Sequence, residues 1–136
     1  MNPVSEDVKD KLVASGVGVF VATSGWAIYI AKEPTTPNTT ISLYDYPGPP
    51  PQYFQDRTKD PLRMDNFQVR VRGTGYKTAY EKIRSIQETI RQYDIFTVGT
   101  VKYYGFVSVG DILFLKIDEH DRYIWVASFQ AHRTET

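Results

Sequence analysis

Apolar residues recur along this chain with two periods, near two and near 3.6, and the places where the period changes mark the elements. Tyr76, Ala79, Tyr80, Ile83, Ile86, Ile90 and Tyr93 recur at spacings of three and four, which predicts an amphipathic helix over 75–93. Lys77, Glu81, Arg84, Glu88 and Arg91 lie mostly away from that stripe, so the stripe reads as core, tyrosines included. Just before it, Phe67, Val69 and Val71 alternate with Gln68, Arg70 and Arg72. That is a strand with one face in the core and the other toward solvent or a partner.

The remaining elements are shorter. Ser5 is a candidate N-cap, Glu6 and Asp7 suit a first helical turn, Val8, Leu12 and Val13 make a small stripe, and Gly16 supplies a stop. A short N-terminal helix is therefore predicted over 5–15. Strand pieces follow near 17–22 and 26–32. The two prolines of Glu33-Pro34-Thr35-Thr36-Pro37-Asn38 make a turn, and 39–46 is a strand with Ile41 and Leu43 on one face. In the last third, 100–109 is a strand, Gly110-Asp111 a turn, and 111–117 a strand placing Ile112, Phe114 and Lys116 on one face. Asp118-Glu119-His120-Asp121 is a charged hairpin tip, and 122–133 closes the chain with Tyr123, Trp125, Ala127 and Phe129 at period two. The fold class is α+β: one long helix covering one face of a mostly antiparallel sheet, with a short N-terminal helix. The 136 residues suit a single domain.

Residues 47–63 break the pattern. Pro47-Gly48-Pro49-Pro50-Pro51 can neither enter a central sheet nor continue a helix. Tyr46, Tyr53 and Phe54 add aromatic surface to this loop, which makes it a candidate partner-binding segment. Leu12 to Ala31 is uncharged for 20 residues, long enough to cross a bilayer. Thr23-Ser24-Gly25 interrupts it, and both halves are short and β-rich, so neither a membrane segment nor a secretory signal is expected. The sequon at Asn38 is accordingly read as incidental.

Composition narrows the function. With 41% hydrophobic and 24% charged residues the chain is too apolar for disorder, and without cysteine it has no disulfide, thiolate metal site or thiol nucleophile. Sixteen basic and sixteen acidic side chains balance, which disfavours dominant nonspecific nucleic-acid binding. The balance is uneven along the chain. Residues 68–93 hold six basic and two acidic side chains, and residues 94–121 hold two and five. Such a chain can meet copies of itself plus to minus, although solvated helix surfaces give the same asymmetry. Gly73-Thr74-Gly75 precedes a helix but lacks the third glycine of a dinucleotide fingerprint, since position 78 is threonine. Adjacent residues at the 118–121 tip converge poorly on one ion. No cofactor, metal or enzyme activity is expected. Arg70, Arg72, Lys77, Lys82, Arg84 and Arg91 leave open a basic patch for single-stranded nucleic acid.

Three stretches resemble the bacteriophage minor capsid protein family, whose members are similar to tail terminator and head–tail joining proteins of long-tailed phages. They are Ile30 to Asn38 with the strand ending Tyr44-Asp45-Tyr46-Pro47-Gly48-Pro49, then Phe67 to Gly73 with Tyr76, Ala79 and Tyr80, and finally the acidic-tipped hairpin Asp118 to Arg133. Together they cover about 28–133. The sequence departs from the family pattern in its uncharged 12–31 segment and its Pro-rich 47–51 turn. The resemblance implies a non-catalytic virion protein, assembled in the bacterial cytoplasm. It would form a homo-oligomeric ring, commonly a hexamer, on the head-proximal end of the tail tube. There it would stop tube polymerisation and join the head connector or stopper protein, with DNA passing through the channel without specific binding. Another neck component is the neighbouring reading. The residues expected at subunit or partner interfaces are Arg70, Arg72, Tyr46, Tyr53, Phe54, Asp118, Glu119 and Asp121.

Overall fold

A computed structural model describes residues 1–23, 25–52 and 61–135. Its elements are α1 (Val4–Ala14), β1 (Val19–Phe20), β2 (Ala27–Ile30), β3 (Thr40–Tyr46), β4 (Arg63–Gly73), α2 (Tyr76–Arg91), β5 (Phe96–Val98), β6 (Val101–Ser108), β7 (Leu113–Ile117) and β8 (Tyr123–Glu135). All eight strands join one sheet in the order β1-β2-β3-β4-β8-β6-β5, with β7 also on β8.

The sheet is built on β4 and β8, which pair antiparallel from Arg63↔Arg133 to Gly73↔Tyr123. Alternation sends Phe67, Val69 and Val71 of β4, and Trp125, Ala127, Phe129 and Ala131 of β8, to one buried face. Phe67 and Phe129 stack there with centroids 5.3 Å apart. Ala79, Ile83, Ile86 and Ile90 of α2 bury against this face, and Val4, Val8 and Leu12 of α1 extend the same core. Gly73 permits the close approach of α2, because a Cβ there would stand 3.3 Å from the Ala79 Cβ and 3.5 Å from the Trp26 ring. That contact gives Gly73 a packing role.

The expectation of one long helix is corrected. α2 has 16 residues and α1 has 11, and the two share the apolar face. A helix is about 10–12 Å across and strands repeat about every 4.8 Å, so one helix is too narrow for a sheet this wide. The tyrosines at the ends of the α2 stripe are also less buried than its periodicity predicts. Tyr76 is 52% exposed, while Tyr80 and Tyr93 are half-buried. Tyr76 instead joins a surface aromatic cluster, 5.0 Å from Trp125, 5.3 Å from Phe114 and 5.6 Å from Tyr123.

Strand boundaries shift where tertiary contacts overrule local pattern. The 17–22 strand shrinks to two residues because Val21 turns the chain with φ 52°. β1 pairs β2, and β2 pairs β3, in parallel, within an otherwise antiparallel sheet. β4 begins at Arg63, four residues before the alternation is evident, because β8 is long enough to pair with it. β5 is an additional short strand. Gly110-Asp111 does not close a hairpin. β6 and β7 follow one another along the same side of β8, and the Val109 N–H donates to the Ser128 carbonyl at 2.8 Å between them. A bulge between Phe114 and Lys116 then turns Lys116 away from the face that Phe114 shares with the core.

Ser5 does not cap α1. The N-cap is Pro3, and Ser5 is buried in the first turn. Its N–H and hydroxyl donate to the two carboxylate oxygens of Asp45 on β3, at 3.0 and 2.5 Å. The helix start is thus capped by a carboxylate 40 residues away, satisfying a donor that the helix leaves unpaired. Asp7, also buried, accepts from the Tyr103 hydroxyl. Arg133 donates to that same oxygen at 3.0 Å, to Asp65 at 2.7 Å and to the Asn2 carbonyl at 2.7 Å. Burial, aided by the hydrogen bond to Asp7, pushes the Tyr103 phenol up, so it remains a donor.

Candidate assembly surfaces

The sheet face away from the helices carries most of the residues singled out from sequence. Arg70 lies on it half-exposed, donating to Gln68 at 3.0 Å, 3.9 Å from Glu33 and over the Tyr44 ring. Arg72 shares that face but is only 3% exposed. It is therefore not the surface cation the alternation predicts. The turn at 33–38 folds over it, and its guanidinium donates to the Pro34 and Pro37 carbonyls. Burial and the neighbouring Arg122 pull its pKa down, opposed by Glu33 and Asp118. Arg122 completes the clamp, donating to the Thr35 carbonyl and, at 2.8 Å, to Asp118.

Asp118 has a local task at the hairpin tip. Its Oδ1 accepts from the His120 and Arg122 N–H groups, both at 2.9 Å, while Oδ2 meets the Arg122 guanidinium. Burial pushes the carboxyl up, but these three donors outweigh it and hold the pKa below the ordinary aspartate value. Glu119 and Asp121 are exposed at the tip. Arg72, Asp118 and Glu119 come together with Glu33, Lys116 and Arg122 around one polar cleft of 150 Å³. Tyr46 does not join them. It sits at the opposite end of β3, opposite Asn66, beside a second cleft of 250 Å³ formed with Asp45, Arg63 and Arg133. Tyr53 and Phe54 lie outside the described residues.

The six basic residues of the candidate nucleic-acid patch do not form one surface. Arg70 and Arg72 lie on the face opposite α2, which carries the other four, and Lys82 points its ammonium at the Val17 carbonyl, 2.7 Å away. Among the described residues, no three His, Asp or Glu side chains cluster as metal ligands, and no helix is long and apolar enough to cross a membrane.

The residues that sequence reasoning missed are aliphatic and exposed. Val107, Val109, Leu113, Leu115 and Ile117 project from the β6–β7 side of the sheet, and Val19, Phe20 and Val21 from its β1 end. The signal was present. Once Ile112 and Phe114 face inward, Leu113 between them is left outside, whereas Ile117, opposite Tyr123 past the bulge, returns to the Phe114 face and is exposed there.

The chain is thus an eight-stranded sheet with two helices on one face, buried arginines on the other, and exposed apolar side chains at both ends. The chain matches the bacteriophage tail terminator protein family over residues 11–135, and it belongs to that family. It is thus a structural protein of the phage virion's tail or neck. Among solved structures, a chain from the virion of a native gene transfer agent particle has the same fold. The TM-score is 0.65 at 18% identity, covering 97% of this chain and 95% of that one. By sequence, no curated protein matches significantly.

Proposed function

We propose that this chain is the subunit of a ring, of six copies in the reading favoured here, that seats on the head-proximal end of the tail tube. It stops tube polymerisation and offers its other face to the head connector, and DNA passes through the ring without specific binding. The ring assembles in the host cytoplasm and is retained in the virion. The observation that carries this reading is the family match over residues 11–135. The exposed apolar side chains at both ends of the sheet support it, because a subunit of a head-to-tail ring needs two contact surfaces. The division of the basic residues between two faces weighs against the single-stranded nucleic-acid alternative.

The test is polymerisation of purified tail-tube protein with and without the chain, followed by electron microscopy. The expected result is tubes of limited length with extra density at one end, against longer and more variable tubes without the chain. Tube growth indifferent to the chain overturns the reading, and binding only to heads reassigns it to another neck component. Residues 47–63 are assigned to a partner contact in the same proposal. Replacing Tyr53 and Phe54 by serine is expected to leave a folded subunit that caps tubes at least tenfold less efficiently, measured by the fraction of capped ends.

A further inference from the structure

The exposed apolar residues are not scattered. Nine of the fourteen large exposed hydrophobic residues among the described residues lie in two places, Val19, Phe20 and Val21 at one end of the strand order, and Tyr104, Val107, Val109, Leu113, Leu115 and Ile117 at the other. Both places are open ends of the sheet. β1 is the outermost strand on its side. On the other side, β5 pairs only with residues 101–103 of β6, and β7 pairs only with β8. From 104 to 117 the chain therefore has no strand neighbour on its outer side among the described residues. Such an edge, with apolar side chains and unpaired backbone groups, is a template for another chain.

Its position decides what the partner is. The two open ends are five strand steps apart in the sheet, about 24 Å at the usual strand spacing, so they cannot cover one another within a chain. They differ in shape, one a two-residue tip and the other a long edge, so a contact between them joins two unlike surfaces. The long edge is bordered by an acidic excess and the tip by a balanced set of charges. Asp111, Glu119 and Asp121 are exposed beside the long edge, against Lys116 and, over the Tyr104 ring, Lys102. At the tip, Lys9 lies 4.5 Å from the Phe20 ring and pairs with Asp10 at 3.0 Å and Glu6 at 3.5 Å, and Lys32 lies over Tyr29, whose hydroxyl donates to the Ala22 carbonyl. We infer that the 104–117 edge of one copy packs against the 19–21 tip of the next, a head-to-tail contact that propagates until it closes. This rests on the ring reading above and identifies its interface.

The experiment uses the full chain in sedimentation velocity and two variants, one Val107→Glu with Leu113→Glu and one Phe20→Glu. These positions are exposed, so each variant should keep the parental circular dichroism spectrum. Each should lose the parental oligomer, with association weakened at least tenfold. Mixing the two should give one-to-one heterodimers that grow no further, because each variant keeps the surface the other needs. A parental oligomer that survives both variants overturns the inference and leaves the ring reading standing. A variant that dimerises with itself overturns it too, since that indicates a two-fold contact. A parental chain that stays monomeric both in solution and on tube ends removes the ring reading and this interface together. The chain lacks cysteine, which allows a second measurement. Val19→Cys combined with Leu113→Cys should give, on oxidation, a ladder of linked subunits ending at the ring size, and an oligomeric sample without a ladder rejects the contact.

Discussion

The two helices lie on the same side of the sheet and are held there by different physics. α2 is held by an apolar stripe. Ala79, Ile83, Ile86 and Ile90 are fully buried, and its N-cap, Gly75, makes no side-chain cap. α1 buries only Val4, Val8 and Leu12 as its apolar stripe, and its first turn is held by charge: Asp45 on Ser5, and Asp7 within the Tyr103 and Arg133 network. Apolar packing tolerates small shifts and is insensitive to pH. A buried polar network demands complete pairing, since each partner removed leaves another unsatisfied. The contrast suggests that the position of α1 is fixed more sharply than its small apolar stripe alone would fix it.

Removing the centre of the network should have the largest effect. Arg133→Ala leaves buried Asp7 without its cation and Asp65 with Arg63 alone, at 3.5 Å, and should cost about 3–5 kcal/mol in urea unfolding. A cost below about 1 kcal/mol would mean that α1 is held by its apolar stripe after all. On the other helix, Ile86→Ala should cost about 2–5 kcal/mol by opening a cavity, with no change in its pH dependence. A melting temperature equal to the parent's would show the α2 stripe to be misread. Asp45→Ala should cost about 1–3 kcal/mol, and its signature is local. Amide exchange should rise in the first turn of α1 while α2 stays protected, and equal loosening of both helices would erase the distinction. The smallest effect concerns the hairpin tip. The folded pKa of Asp118 is depressed, so its contribution is present above the ordinary aspartate pKa and is lost as pH falls through the lower folded value. Asp118→Asn should therefore lower stability modestly at neutral pH, leave it nearly unchanged below the folded pKa, and so flatten the acid limb of the stability curve in urea unfolding.

These differences bear on what could be read beforehand. The α2 stripe and the alternation of β4 and β8 were legible because each is a local period with an apolar surface large enough to require burial. The mostly antiparallel α+β class followed from them. The burial of Arg72 was not legible. Alternation places it on the far face, but only the 33–38 turn, lying over that face, decides that the face is covered there. The interface candidates fared differently for similar reasons. Glu119 and Asp121 stand exposed at the tip, Asp118 is engaged in building that tip, and Tyr46 lies far from all three along β3.

The sequence by itself determined that Ala79, Ile83, Ile86 and Ile90 of α2 and the alternate residues of the central strands turn inward, because side-chain direction is set by backbone period. It also carried the family, through the order and spacing of its strands, turns and arginines. Only the tertiary structure decided how strands 104–108 and 113–117 share one side of β8, how Asp45 comes to cap a helix 40 residues away, and that both ends of the sheet remain open among the described residues. Those outcomes depend on which strands become neighbours. Pairing partners distant in sequence leave no local period, and a free edge is defined by what fails to arrive beside it.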